Sequence, residues 1–153
     1  MSGRANPREQ SQLTERELQT VALAANGLKV KAIARRLELS DDAVQSRLKV
    51  ARQKCGSTRT TALVHSAYAS KQLPPPVSEQ PVELSEDQLR VLRHLAEGLT
   101  VIEMRPLVAW SEWRLRSVYG ALLAALDATG RPAYAIKRGW AMGHLGREQP
   151  ATT

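Results

Sequence analysis

Shifted against itself by 71 residues, this sequence meets its own pattern. LTERELQTVALAANGLKV, from Leu13, falls on LSEDQLRVLRHLAEGLTV, from Leu84, with coincidences at Leu13/Leu84, Glu15/Glu86, Leu18/Leu89, Ala25/Ala96, Gly27/Gly98, Leu28/Leu99 and Val30/Val101. Ser40/Ser111, Ser46/Ser117, Thr58/Thr129 and Ala62/Ala133 continue the series without a gap. A period of this kind marks a duplicated unit of about 60 residues. Between the copies lies KQLPPPVSEQPVE, whose Pro74, Pro75, Pro76 and Pro81 favour extended polyproline geometry and stop the helix before them. The chain therefore divides into a tail at 1–12, a first domain at 13–72, a Pro-rich linker at 73–83, a second domain at 84–144 and a tail at 145–153. The two ends are polar and aperiodic, as loosely held termini are.

Each copy reads as four short helices. Thr14 with Glu17, and Ser85 with Gln88, form capping boxes, in which side-chain oxygens satisfy free backbone amides at a helix start. Leu18, Val21, Ala22 and Ala25 follow helical spacing, as do Leu89, Leu92 and Ala96. Gly27 and Gly98 stand where a helix needs a left-handed terminator. A second helix is expected over 30–37. Ser40 and Ser111, each followed by acid, then cap a third helix at about 41–54 and 112–125. A fourth runs over about 60–71 and 132–142, with Pro132 suited to a first turn. No segment alternates like a strand, so the fold class is all-α.

Two helices joined by a tight turn, the second exposing polar and basic residues, form a helix-turn-helix. On a helical wheel Val44, Leu48 and Ala51 of the third helix share the inner face, and Gln45, Ser46, Lys49, Arg52 and Gln53 lie opposite. Amides and hydroxyls there pair with base edges and cations with phosphates; Lys29 and Lys31 add backbone contacts. Charge agrees. The chain carries +7, and residues 1–73 hold 13 Lys+Arg against 6 Asp+Glu, whereas 74–153 hold 9 of each. The excess lies entirely in the first half, which points to a polyanion as its partner. A solvated helix with ordinary Lys and Arg decoration is the alternative reading of the same face.

The stretches LTERELQTVALAANGL, KAIARRLELSDDAVQSRLKVARQKCG and RTTALVHSAY resemble the LuxR/GerE-type helix-turn-helix domain of bacterial transcription regulators, and LSEDQLRVLRHLAEGLT is an equally good opening for a second copy. The resemblance covers 13–71 and 84–142. It implies two tandem four-helix domains, a third helix in the major groove of double-stranded DNA, and a fourth helix that makes a dimer contact. Matched by position, Ala43, Gln45, Ser46, Arg47 and Lys49 fall where that family touches DNA. Lys29 stands in place of a small polar helix cap, and Ala43 in place of a frequent threonine.

The second copy departs from the pattern. Pro106 falls inside its second helix, where a missing amide and a ring clash shorten or kink it. Its third helix opens with Arg114, Arg116 and Ser117, which are positioned to meet DNA. It continues as VYGALLAAL, an uncharged run that replaces four charges between Arg47 and Cys55. A helix apolar on several faces packs against something. Trp113, Val118, Leu122, Leu123 and Trp140 are accordingly expected at an interface, within the chain, in a homodimer through helix four or domain two, or with a protein partner. At about 3.1 Å per residue, linker residues 74–83 reach roughly 30 Å, close to the ~34 Å of one duplex turn; the same linker equally lets copy two fold back on copy one.

Other chemistries find little support. No apolar run approaches the ~20 residues of a membrane-spanning helix, and no secretory leader is evident. The expected location is the bacterial cytoplasm, on the nucleoid. Cys55 is alone and takes the slot of Leu126, which reads as a small hydrophobe. His65, His94 and His144 have no ligand spacing, so neither metal nor cofactor is expected. No phosphate loop or nucleophile motif appears, and no catalytic residue is proposed. The leading function is a sequence-specific transcription regulator with no room in this sequence for a receiver or ligand-sensing domain. The alternatives are an adaptor whose second domain binds a regulatory protein, and an architectural binder without sequence preference.

Overall fold

The computed structural model describes residues 12–146, and within them the sequence forms eight α-helices and one 3₁₀ turn, with no strand. The helices are α1 Glu15–Ala25, α2 Val30–Leu37, α3 Asp41–Lys54, α4 Thr60–Ala69, α5 Glu86–Ala96, α6 Val101–Met104, α7 Glu112–Ala125 and α8 Pro132–Ala141, with the 3₁₀ turn at Arg105–Leu107. The parts of the expected tails at 1–11 and 147–153 lie outside the described residues. Both capping boxes form. Glu17 N–H donates to Thr14 Oγ1 at 3.1 Å and Thr14 N–H to Glu17 Oε1 at 2.9 Å, and Ser85 and Gln88 repeat the exchange at 3.1 and 2.8 Å. A third box, Thr100 with Glu103, starts α6 at the place that Lys29 takes before α2 without capping it. Pro106 acts as expected. α6 lasts four residues and gives way to the 3₁₀ turn, whereas α2 runs for eight.

Two boundaries differ from the sequence reading. Leu73, expected in the linker, and Leu145, expected in the tail, are 6 % and 7 % exposed. After α4 the chain turns through Lys71 at φ 63°, and after α8 through Gly143 at φ 80°. Gln72 and Leu73 N–H then donate to Ala67 O, and His144 and Leu145 N–H to Gly139 O. This left-handed exit swings the next apolar residue back onto the helices it has just left. The gap-free register also fails at the end. α1 and α5, like α3 and α7, start 71 residues apart, but α4 and α8 start 72 apart, with Gly130 at φ 73° in the lengthened turn. Buried Leu63, Val64 and Ala67 therefore correspond to buried Ala135, Ile136 and Gly139, and the match of Ala62 with Ala133 is a coincidence of letters.

One apolar core runs from Leu13 to Leu145. α4 packs along α8, α1 reaches across to α8 and α5 reaches across to α4. Within each half, α1 packs on α3 and α4, as α5 packs on α7 and α8. Exchanging the two halves thus maps this contact pattern onto itself. Polar contacts lock the seam. Trp140 Nε1 donates to His65 Nδ1 at 3.0 Å, and the Trp140 ring lies 5.7 Å from Tyr68. That bond needs His65 Nδ1 unprotonated; burial lowers the His65 pKa, against the opposing pull of Glu97. Arg59 donates to Gly98 O at 3.0 Å and pairs with Glu103, and Lys137 donates to Asn26 Oδ1. Gly98, at φ 91°, lies against α4, where a Cβ would meet Ala62 Cβ at 3.0 Å. Residues 79–82 are pinned beside α8, with Glu79 N–H donating to Ala141 O at 2.9 Å, Glu79 paired with Arg138, and His144 Nε2 donating to Val82 O at 2.9 Å.

A shared core predicts shared unfolding. All three tryptophans lie in the second half, so their fluorescence and the helical circular dichroism should give coincident urea transitions. Ile136→Ala, at a fully buried position, should lower both by about 2–5 kcal/mol.

Candidate nucleic-acid interface

α3 is held by its inner face. Val44, Leu48 and Ala51 are buried, and the helix packs on both α1 and α2. At its far end Lys54 Nζ meets Glu17 Oε1 at 2.8 Å, with side chains 23 % and 10 % exposed. Burial works to raise the Glu17 pKa but is outweighed by the Lys54 hydrogen bond, the Thr14 N–H and the Lys54 charge, which together hold it below the usual value. The contact fastens the C-terminal turn of α3 to the first turn of α1. Ser40 Oγ accepts from Ala43 N–H at 3.1 Å and fixes the other end.

The outer face stays open. Gln45, Ser46, Lys49 and Gln53 are exposed, and Arg52 is half-buried. Gln45, Ser46, Lys49 and Arg52 line one groove of about 570 Å³, together with Val30 of α2 and Asp42. Lys29 and Lys31, on either side of Val30, are exposed. Among the described residues no ion pair involves Lys29, Lys31, Arg47, Lys49 or Arg52. Ala43 and Arg47 are half-buried and do not line the groove. Arg35 and Arg36, exposed and without an ion pair among the described residues, extend the cationic surface along α2; the sequence pattern of the third helix gives no sign of them.

The corresponding surface of the second half is different. Arg114 pairs with Asp87 and lies 5.0 Å over the Trp110 ring, and Arg116 faces Glu112 at 3.6 Å. Ser117 and Gly120 are exposed. Among the residues expected at an interface, Leu122 and Leu123 are 0 % and 5 % exposed within this chain, because α7 packs on α5. Val118 is half-buried, and Trp140 is engaged by His65 and Tyr68. Trp113 alone among them is open, at 78 %.

Residues 11–67 match the family described as GerE: Bacterial regulatory proteins, luxR family. This segment is a GerE/LuxR-type helix-turn-helix domain. The match ends in α4, and α5 to α8 lie outside it. Neither the curated proteins nor the solved structures contain a match to the chain. Within the described residues of the GerE-type domain, α2 and α3 are the two helices of the motif and Glu38 and Leu39 form their turn, with Glu38 at φ 57°. No helix among the described residues is long and apolar enough to cross a membrane, and none of their His, Cys, Asp and Glu side chains cluster to hold a metal.

The Glu17–Lys54 pair gives a pH test of how α3 is held. A lowered folded-state carboxyl pKa stabilises the fold above the unfolded value near 4.5, and this contribution disappears as pH falls through the folded value. The urea midpoint of Glu17→Gln should therefore fall less steeply than wild type below about pH 4.5. Lys54→Ala at neutral pH should cost about 1–2 kcal/mol.

Proposed function

We propose that the protein is a sequence-specific DNA-binding transcription regulator, with α3 of the GerE-type domain in the major groove. The observation that carries this reading is the open groove, in which amide, hydroxyl and cationic side chains converge and the cations form no ion pair among the described residues. Gln45 and Ser46 read base edges, Lys49 and Arg52 bind at the groove, and Lys29, Lys31 and Arg47 engage flanking phosphates. Ala43 offers its methyl group at the start of the helix. Residues 84–146 are a second, degenerate copy of the domain that supplies the helix-four contact from inside the chain. Arg114, Arg116 and Ser117 then make at most a weak second DNA contact, since both arginines are already paired. The protein acts on the bacterial nucleoid without a cofactor.

The exposed Trp113 and Ile102, at 78 % and 74 %, favour one further reading, in which the second half docks a regulatory protein.

Selection from a random duplex library separates these readings. A regulator recovers a motif, and its affinity falls with salt at about −0.9 log units per neutralised phosphate. Gln45→Ala with Lys49→Ala should weaken binding to that motif about 10–100-fold and make the salt slope shallower by about one. Arg114→Ala with Arg116→Ala should weaken it by a smaller factor. Salt-dependent binding without a motif would mean an architectural binder, and equal losses from the two pairs would overturn the division of labour.

A further inference from the structure

Beside the seam, where the α1–α2 and α5–α6 turns approach one another, the two halves enclose an open cleft of about 670 Å³. Small-molecule sites occupy ~300–1,000 Å³ and combine apolar walls with a few polar groups. Leu28 and Val30 form one wall, and Leu99 and Tyr119 the other, all half-buried. Burial also raises the pKa of the Tyr119 hydroxyl, which keeps it neutral. Every charged residue in the lining is a cation. Two are already committed, Arg59 to Gly98 O and Glu103, and Arg131 to Asp127 O. The other two, Lys29 and Arg52, make no side-chain hydrogen bond or ion pair among the described residues. Apolar walls with uncommitted positive charge and no negative charge are complementary to one kind of small ligand.

We propose that this cleft binds one organic anion with an apolar body per chain, its acidic group held by Lys29 and Arg52. These are also two of the cations assigned to DNA, so an occupied cleft competes with phosphate. That regulatory consequence rests on the DNA reading; binding in the cleft does not.

The test is a fluorescence titration of the DNA-free chain with 8-anilinonaphthalene-1-sulfonate, and in parallel with N-phenyl-1-naphthylamine, which has the same rings and no charge. Wild type should bind one sulfonate per chain saturably. Lys29→Ala with Arg52→Ala should weaken the sulfonate about tenfold, the loss expected for contacts to a charged group, and leave the neutral probe within about twofold. Leu99→Trp, which fills the cleft, should abolish both signals while the thermal melt shows a folded chain; if it does not fold, Ala133→Leu serves instead. Absence of saturable binding overturns the site, as does an equal loss of both probes in the cation variant or indifference to the filling variant. Displacement of the bound sulfonate by duplex supports the shared cations. A sulfonate complex that duplex leaves intact overturns the competition alone.

Discussion

The packing of α4 on α8 is the contact on which the remaining arrangement depends. Each helix is ten residues long, too short to be stable in water by its own hydrogen bonds. Each carries an apolar face that must be covered, with Leu63, Val64 and Ala67 on one side and Ala135 and Ile136 on the other fully buried. Once α4 and α8 meet, α1 and α5 each gain one neighbour across the seam, and two small cores merge into one. The apolar faces of α4 and α8 are covered inside the chain. Trp140 closes the seam with a hydrogen bond that works only while His65 is neutral.

The two halves put similar helices to different uses. α3 keeps its inner face apolar and buried and its outer face polar and largely open. α7 devotes Leu115, Leu122 and Leu123 to the core, and its two early arginines are spent on Asp87, Trp110 and Glu112. The same exchange of duty appears at the second helix. Lys29 leaves α2 uncapped and makes no ion pair among the described residues, whereas Thr100 caps α6 and carries no charge.

Much of this was legible in the sequence, because caps and terminators are local. Thr14 with Glu17, Ser85 with Gln88, and glycines at 27 and 98 each act within four residues of the helix they begin or end, and they set where α1 and α5 start and stop. The wheel of α3 likewise separated Val44, Leu48 and Ala51 from Gln45, Ser46 and Lys49, since a 3.6-residue period alone decides it. What was missed depends on distant partners. Nothing near His65 announces Trp140, and nothing near Arg59 announces Gly98 and Glu103. Gly130 lengthens a turn by one residue, and the chance pairing of Ala62 with Ala133 concealed it. Leu73 and Leu145 looked like linker and tail because their burial is created by a left-handed exit that sequence marks with glycine in one case and lysine in the other.

Under the proposed function, one chain supplies its own helix-four partner and reads DNA alone. Light scattering on the size-exclusion peak of the complex with a selected duplex measures this directly. A mass of one chain per duplex site, unchanged over a hundredfold range of protein concentration, is the predicted result. A complex of two chains on one site, held together through α4 or α8, would contradict it.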